Sequence, residues 1–260
     1  MGMVSWVAAG NGGLTYLLQR GQLADPIVVV DSKGRVVRSW GKGLYRTPHS
    51  IRIDPEGNVW TADAKSSNVI KYTPEGEKLL EISVGGQPPD CTGSFCGTSD
   101  VAFGPNGHVF VADGYRNARI IEYTAEGDKV REWGSAGDEP GQFRLPHSIA
   151  VDGGVIYVAD RENGRIQRFN LDGEFIGMWS DYGKTFGLHV TKGVVWIVTQ
   201  QRNEPNASPG WLMKIDSQTG ELLGYVNVGG VHGIAVTDGG DVLVSPGPDN
   251  RPQRFQEIKD

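Results

Sequence analysis

Short runs in which apolar and polar residues alternate follow one another along the whole chain, each cut off by a cluster of Gly, Asp or Asn. A period of two predicts strands with one buried face, and the clusters predict tight turns. The runs come in sets of four. The set that begins PHSIRID at Pro48 recurs as SDVAFG from Ser99 and PHSIAVD from Pro146. Weaker copies start at Phe186 (FGLHVTKG) and Val231 (VHGIAVTDG), and VAAGNGGLTYLLQR supplies a sixth at the N-terminal end. Turns recur at matching places, with Asn11-Gly12-Gly13, Glu56-Gly57-Asn58 and Asp238-Gly239-Gly240 after the first strand. Lys33-Gly34, Glu75-Gly76, Glu126-Gly127, Asp172-Gly173 and Thr219-Gly220 come before the fourth.

Spacings of 41 to 50 residues between equivalent positions fit propeller blades, which bury their faces only by packing on neighbours around a ring. The expected fold is therefore all-β, a six-bladed propeller formed by residues 1–260 as one domain. The blades are placed at about 4–41, 47–83, 97–134, 145–180, 185–228 and 231–258. Gln200 to Gly210 reads as a loop. The last copy is short of a strand, and Met1 to Ser5 is a candidate to complete it and seal the ring.

Composition narrows the function classes. Thirty-eight glycines fit many turns, and the formal net charge of −6, with no run of Lys or Arg, gives no basic footprint for nucleic acid or a membrane surface. Residues 1–20 lack a basic start followed by an apolar core, and no 18 apolar residues occur in succession, so neither a signal peptide nor a membrane span is expected and the compartment stays open. Cys91 and Cys96 are too few for a disulfide framework and could close one small loop at most. A monomer is expected.

Propeller geometry says where chemistry gathers. The connections into the first strand of each blade and those after the second strand lie around one mouth of the central channel. At the entry to the first strand, the copies align His49, Ser99, His147, Leu188 and His232. Histidine occupies alternate blades, so three imidazoles would converge on the axis at about 120° to one another. Each histidine alone most often just fills its blade. Any one of the five in the chain has on the order of one chance in forty of falling at this register, which makes three together a signal. A three-histidine set leaves a tetrahedral position open, as in catalytic zinc sites; copper, iron and nickel also accept imidazole. His108 belongs to a turn on the opposite face and is expected to be solvated, while His189, one residue out of register, is expected to pack or support the site.

Ala-Asp pairs follow the second strands at Asp63, Asp113 and Asp160, where turn chemistry is the plain reading of the carboxylates. Tyr115, in an insertion, and Arg161 come to the same mouth on successive blades, and Arg20 ends the second strand of the first. Two arginines near a metal make a pocket for a carboxylate, which they can hold bidentately.

Residues 111–169, VADGYRNARIIEYTAEGDKVREWGSAGDEPGQFRLPHSIAVDGGVIYVADRENGRIQRF, closely resemble peptidyl-α-hydroxyglycine α-amidating lyase, a propeller family of the NHL-repeat class. LLQRG and TPHSIRID extend the resemblance to the first blades. It implies that His49, His147 and His232 are zinc ligands, Tyr115 the catalytic tyrosine, and Arg20 and Arg161 active-site arginines. It also implies a structural calcium with the backbone carbonyls of Val7 and Ile51 among its ligands. Here the chain departs, since Gly233 stands where the family has an aspartate ligand, and calcium is doubtful. Cys96 matches a family disulfide cysteine whose partner position is Arg116, so that bridge cannot form.

The implied reaction splits a carbinolamide, N–CH(OH)–COOH, into an amide and glyoxylate. The metal would act on the substrate hydroxyl, and Tyr115 would be the base, although a phenol of ordinary pKa near 10 needs help from Arg161 and the metal. Arg20 would grip the carboxylate. The expected partner is a small molecule or peptide ending in an α-hydroxyglycine-like group. Rival readings are a metal-dependent hydrolase using the same site and a scaffold of NHL repeats that binds peptide or protein without a metal.

Overall fold

The computed structural model describes residues 1–86, 91–200, 210–246 and 251–256. Of the loop expected at Gln200 to Gly210, residues 201–209 lie outside the described residues, while Gln200 ends one strand and Gly210 begins the next. Strands dominate, interrupted by two single turns of 3₁₀ helix at Asn11–Gly13 and Arg161–Asn163. They form six sheets whose strands follow one another in chain order, five with four strands and the last with three. This is the six-bladed propeller that the repeat implies. The innermost strands are Val4–Ala9, Pro48–Ile53, Asp100–Phe103, Pro146–Asp152, Lys184–Thr191 and Gly233–Val236.

The core is divided as the ring is. Six apolar clusters each lie between two consecutive blades, the first joining Trp6, Leu18 and Ile27 of blade one to Ile51, Val59 and Tyr72 of blade two. Alternate residues of a strand face opposite neighbours, so a blade buries both faces only when the ring closes. Closure differs from the expectation. Val4 pairs with Gln19, which commits the N-terminal strand to blade one, and blade six keeps three strands among the described residues. Side-chain packing seals the ring instead: Val4, Val7, Leu17 and Val28 meet Ala235 and Leu243.

The aspartates after the second strands tie the mouth together. Asp63 accepts four backbone N–H groups, from Arg46 and Thr47 at 2.7 and 2.8 Å and from Lys65 and Ser66 at 2.9 and 2.8 Å. Asp113 holds Asn117 and Arg119, and Asp160 holds Arg144, Asn163 and Arg165. Turn chemistry is what these carboxylates do.

Outer strands interlock through tryptophan. Trp133 of blade three lies over Gly173 of blade four, where a Cβ would come within 2.9 Å of the indole at a φ of +82°. Gly34 has a similar φ of +76° but open space beside it. Gly173→Ala is therefore predicted to destabilise by about 2 kcal/mol or more, roughly twice the cost of Gly34→Ala, which meets only the left-handed backbone penalty. Thermal unfolding of the two variants checks this, and equal midpoints would show that the indole yields without cost.

Candidate active site

The side chains that point to the axis owe their direction to a repeated irregularity. In blade two Pro48 pairs with Asp63 and Ser50 with Ala62, so His49 is an extra residue in its strand. Blade four repeats this at His147, between the pairs Pro146–Asp160 and Ser148–Ala159. A bulge of this kind bends the strand and re-aims the bulged side chain. Blade one has the same bulge at Ser5 and blade five at Phe186. Phe186, not Leu188, is thus the blade-five equivalent of the histidines. Leu188 aligns instead with the buried Ile51 and Ile149, so the register read from the sequence was two residues late in that blade. His189 accordingly belongs three residues beyond the mouth, at the level of Arg52, and lies away from the site. Burial, with Arg52 adding to it, lowers His189 to about 3.

His49, His147 and His232 come together. Their ring nitrogens lie within 4.8 Å of one another, and among the described residues they are the one group of His, Cys, Asp and Glu placed to hold a metal. Each Nδ1 donates to a backbone carbonyl of the following blade: His49 to Ser99 at 2.6 Å, His147 to Phe186 at 2.5 Å and His232 to Ser5 at 2.9 Å. A carbonyl only accepts, so the proton is on Nδ1 and each Nε2 presents a lone pair. Burial holds His49 and His147 well below the usual imidazole range and His232 at about 3, and the positive charge of Arg20 or Arg161 adds to the effect in each. Three neutral imidazoles with their lone pairs directed inward fit a transition metal.

Tyr115 closes the same pocket. Its loop is five residues long (114–118) against four (64–67) in blade two, with Arg116 and Ala118 at positive φ, which bears out the insertion. The phenol oxygen lies 2.9 Å from Nε2 of both His49 and His147. One hydroxyl proton cannot serve two lone pairs, so one nitrogen faces the oxygen without a hydrogen, a conflict that a cation among the nitrogens removes. Burial raises the phenol above its ordinary value of 10.0, and Arg161 and then Arg20 pull it down.

Both arginines reach the mouth. Arg20 donates from Nε to the Pro48 carbonyl at 2.8 Å, and its buried Nη2 has no hydrogen-bond partner. Arg161 lies 4.8 Å from the Phe186 ring and 6.0 Å from that of Tyr115, with Nε held by Glu162 at 2.9 Å. Glu162 also accepts from Lys184 at 2.5 Å.

Several contributors escaped the sequence reading. Trp6, fully buried, sets its ring against all three histidines, at centroid distances of 6.0, 6.5 and 5.3 Å. Phe95 packs tilted against Tyr115 at 4.9 Å, and the Arg20 guanidinium lies over its ring at 5.2 Å. It sits in the loop closed by a Cys91–Cys96 disulfide, so the two cysteines with a phenylalanine between them were the available signal. His108 is not simply solvated, since its Nδ1 lies 2.6 Å from Glu122.

Calcium does not fit. A Cβ on Gly233 would meet Trp6 Cγ at 2.7 Å, leaving no room for a carboxylate. Val7 and Ile51 flank the buried side chains of Trp6 and Arg52, and the one axial carboxylate, Asp100, is taken by Arg52 at 2.5 Å. A hard cation needs oxygen ligands in number.

The NHL repeat family matches residues 143–169. The probable peptidyl-alpha-hydroxyglycine alpha-amidating lyase of Caenorhabditis elegans is 31% identical over 250 residues, which cover 90% of this chain and 69% of that protein. Peptidyl-glycine alpha-amidating monooxygenase B of Xenopus laevis is 34% identical over 252 residues, and there the chain spans only 29% of the longer protein. Among solved structures, a streptogramin B lyase superposes with a TM-score of 0.67 over 97% of this chain and 93% of that one at 15% identity, a likeness of fold alone. No helix among the described residues is long and apolar enough to cross a membrane. By its similarity to the nematode protein along most of both chains, this chain belongs to the peptidyl-α-hydroxyglycine α-amidating lyase family.

Proposed function

We propose that the chain is a zinc-dependent lyase that cleaves an α-hydroxyglycine amide, R–CO–NH–CH(OH)–COO⁻, to the primary amide and glyoxylate. One observation carries the reading: three inward-facing imidazole Nε2 atoms, the Tyr115 hydroxyl and the unpartnered Arg20 Nη2 share one pocket. When bound, zinc supplies Lewis acidity that makes the substrate hydroxyl easier to deprotonate. His49, His147 and His232 hold it. Arg20 and Arg161 bind the carboxylate and orient the carbinol carbon beside Tyr115. Tyr115, as the phenolate, takes the hydroxyl proton; the O–H electron pair becomes the second bond of the aldehyde, the C–N bond breaks, and the amide nitrogen takes that proton from the Tyr115 hydroxyl, which restores the phenolate. Phe95 covers Tyr115 and Arg20 and keeps water from the base.

The reading makes three separable predictions. Replacing any one of His49, His147 or His232 with Ala should remove most bound zinc, because two imidazoles make a much weaker site; stoichiometric zinc in all three variants would place the metal elsewhere. Tyr115→Phe should keep fold and zinc while kcat falls by about 10² to 10⁴. Glyoxylate release at the parent rate by that variant would exclude Tyr115 as the base. Arg20→Ala should raise KM more than it lowers kcat if the guanidinium binds the ground-state carboxylate. Product analysis is the check on the reaction itself: equal amounts of primary amide and glyoxylate support the lyase, and a carboxylic acid from the R–CO group marks a hydrolase.

A further inference from the structure

Beneath the histidines a second cluster of polar groups is buried on the axis, and the chemistry proposed above does not use it. Arg52, in the innermost strand of blade two, is only 9% exposed. Its guanidinium meets every other blade. Nε donates to Asp100 Oδ1 of blade three at 3.0 Å, and Nη2 donates to Asp100 Oδ2 at 2.5 Å. Nη2 also reaches Ser148 Oγ of blade four and the Leu188 carbonyl of blade five, both at 3.1 Å. Nη1 points to the Ile234 carbonyl of blade six at 3.4 Å. The remaining contact is with blade one, where the Trp6 ring lies 4.9 Å from Cζ. Asp100, fully buried, is itself held by Ser148 Oγ at 2.7 Å and by the backbone N–H groups of Val101 and Ile149 at 2.9 and 3.2 Å.

We propose that Arg52 is the built-in cation of the propeller axis: it ties all six blades together, makes a bound calcium unnecessary, and holds Trp6 against the three metal-binding histidines. A planar fork with five donors can address several blades at once, which an ammonium cannot do with the same geometry. Charge complementarity is complete within the cluster, because the one buried carboxylate faces the one buried guanidinium. Trp6 is the link to the mouth. Its ring meets Arg52 and also His49, His147 and His232. Its indole N–H is buried without a partner, so its contacts here are made through the ring. Arg52 is then a positioning residue, acting on the metal through Trp6.

The test uses the zinc-loaded full chain. Adding calcium, or removing it with a calcium-selective chelator, is expected to leave the parent thermal midpoint unchanged; a calcium-dependent rise would overturn the proposal. Arg52→Met strands the Asp100 carboxylate, and its midpoint should fall by about 10 °C. Zinc, measured by competition well below the unfolding range, should be held about 10-fold more weakly. Arg52→Lys, which keeps the charge, should recover part of both losses. If Arg52→Met does not fold, Arg52→Met/Asp100→Asn removes both charges together and regains stability, while zinc affinity stays low. A merely structural role would restore affinity along with the midpoint. Parent-level zinc affinity in either folded variant would refute the positioning role.

Discussion

Three hydrogen bonds between neighbouring blades set up everything at the mouth. Each of the three axial histidines sits in an even-numbered blade and gives its Nδ1 proton to the backbone carbonyl at the equivalent position of the next, odd-numbered blade. Four of these six donors and acceptors are held by the same local feature, since Ser5, His49, His147 and Phe186 are extra residues in their strands. A six-fold repeat is thereby converted into a three-fold site. Odd blades need no particular side chain to serve as acceptors, which is why Ser99, Phe186 and Ser5 suffice. The bond also selects the tautomer and fixes ring rotation, so the lone pairs converge before any metal arrives.

Electrostatics at this mouth depend on the imidazoles remaining neutral. Two guanidiniums, a buried phenol and three buried imidazoles share a small volume, and protonated histidines would add like charge beside Arg20 and Arg161. Burial and those arginines both depress the imidazoles, so the neutral form prevails at ordinary pH. The same arginines act on Tyr115 in the opposite sense to burial. A carboxylate bound between them would lessen that pull on the phenol, so the two guanidiniums link the phenol to any anion at the mouth. Phe95 lies over one arginine and the tyrosine together, and the disulfide that closes its loop fixes where that ring sits.

The fold was legible because it is written six times. Turn residues and alternating strands recur at one period, and the three histidines stood out once the copies were aligned. Tyr115, Arg20 and Arg161 were legible as members of the mouth, because the residues after each second strand must lie there. What failed has a physical reason in each case. Blade five carries Phe186 where its neighbours carry histidine or serine, and with no polar residue to mark the bulge, Leu188 was aligned two residues out. Met1 to Ser5 were assigned to blade six by counting strands, although Val4 and Ser5 already had a place in blade one. Trp6 and Arg52 read as ordinary strand residues, since nothing in a local pattern says that a side chain will meet five other blades. Phe95 was hidden because composition does not settle whether Cys91 and Cys96 pair, and only their bond closes its loop.

Gly233 connects the legible departure to the feature that was missed. Its lack of a side chain was visible as a lost carboxylate, which argued against calcium. Its structural meaning is that Trp6 occupies the space, with Cγ only 2.7 Å from where a Cβ would be. Trp6 in turn lies against a guanidinium rather than a hydrated ion, and that guanidinium is neutralised by a carboxylate from the neighbouring blade. Glycine, tryptophan, arginine and aspartate therefore form one dependent set, and exchanging any one of them alone leaves a clash, a void or an unpaired charge. The set also fills the axis below the histidines. The 270 Å³ cavity at the far end of the axis, lined by Arg52, Ile149 and His189, includes none of the residues at the mouth. Arg52 and Trp6 therefore stand between that cavity and the histidines.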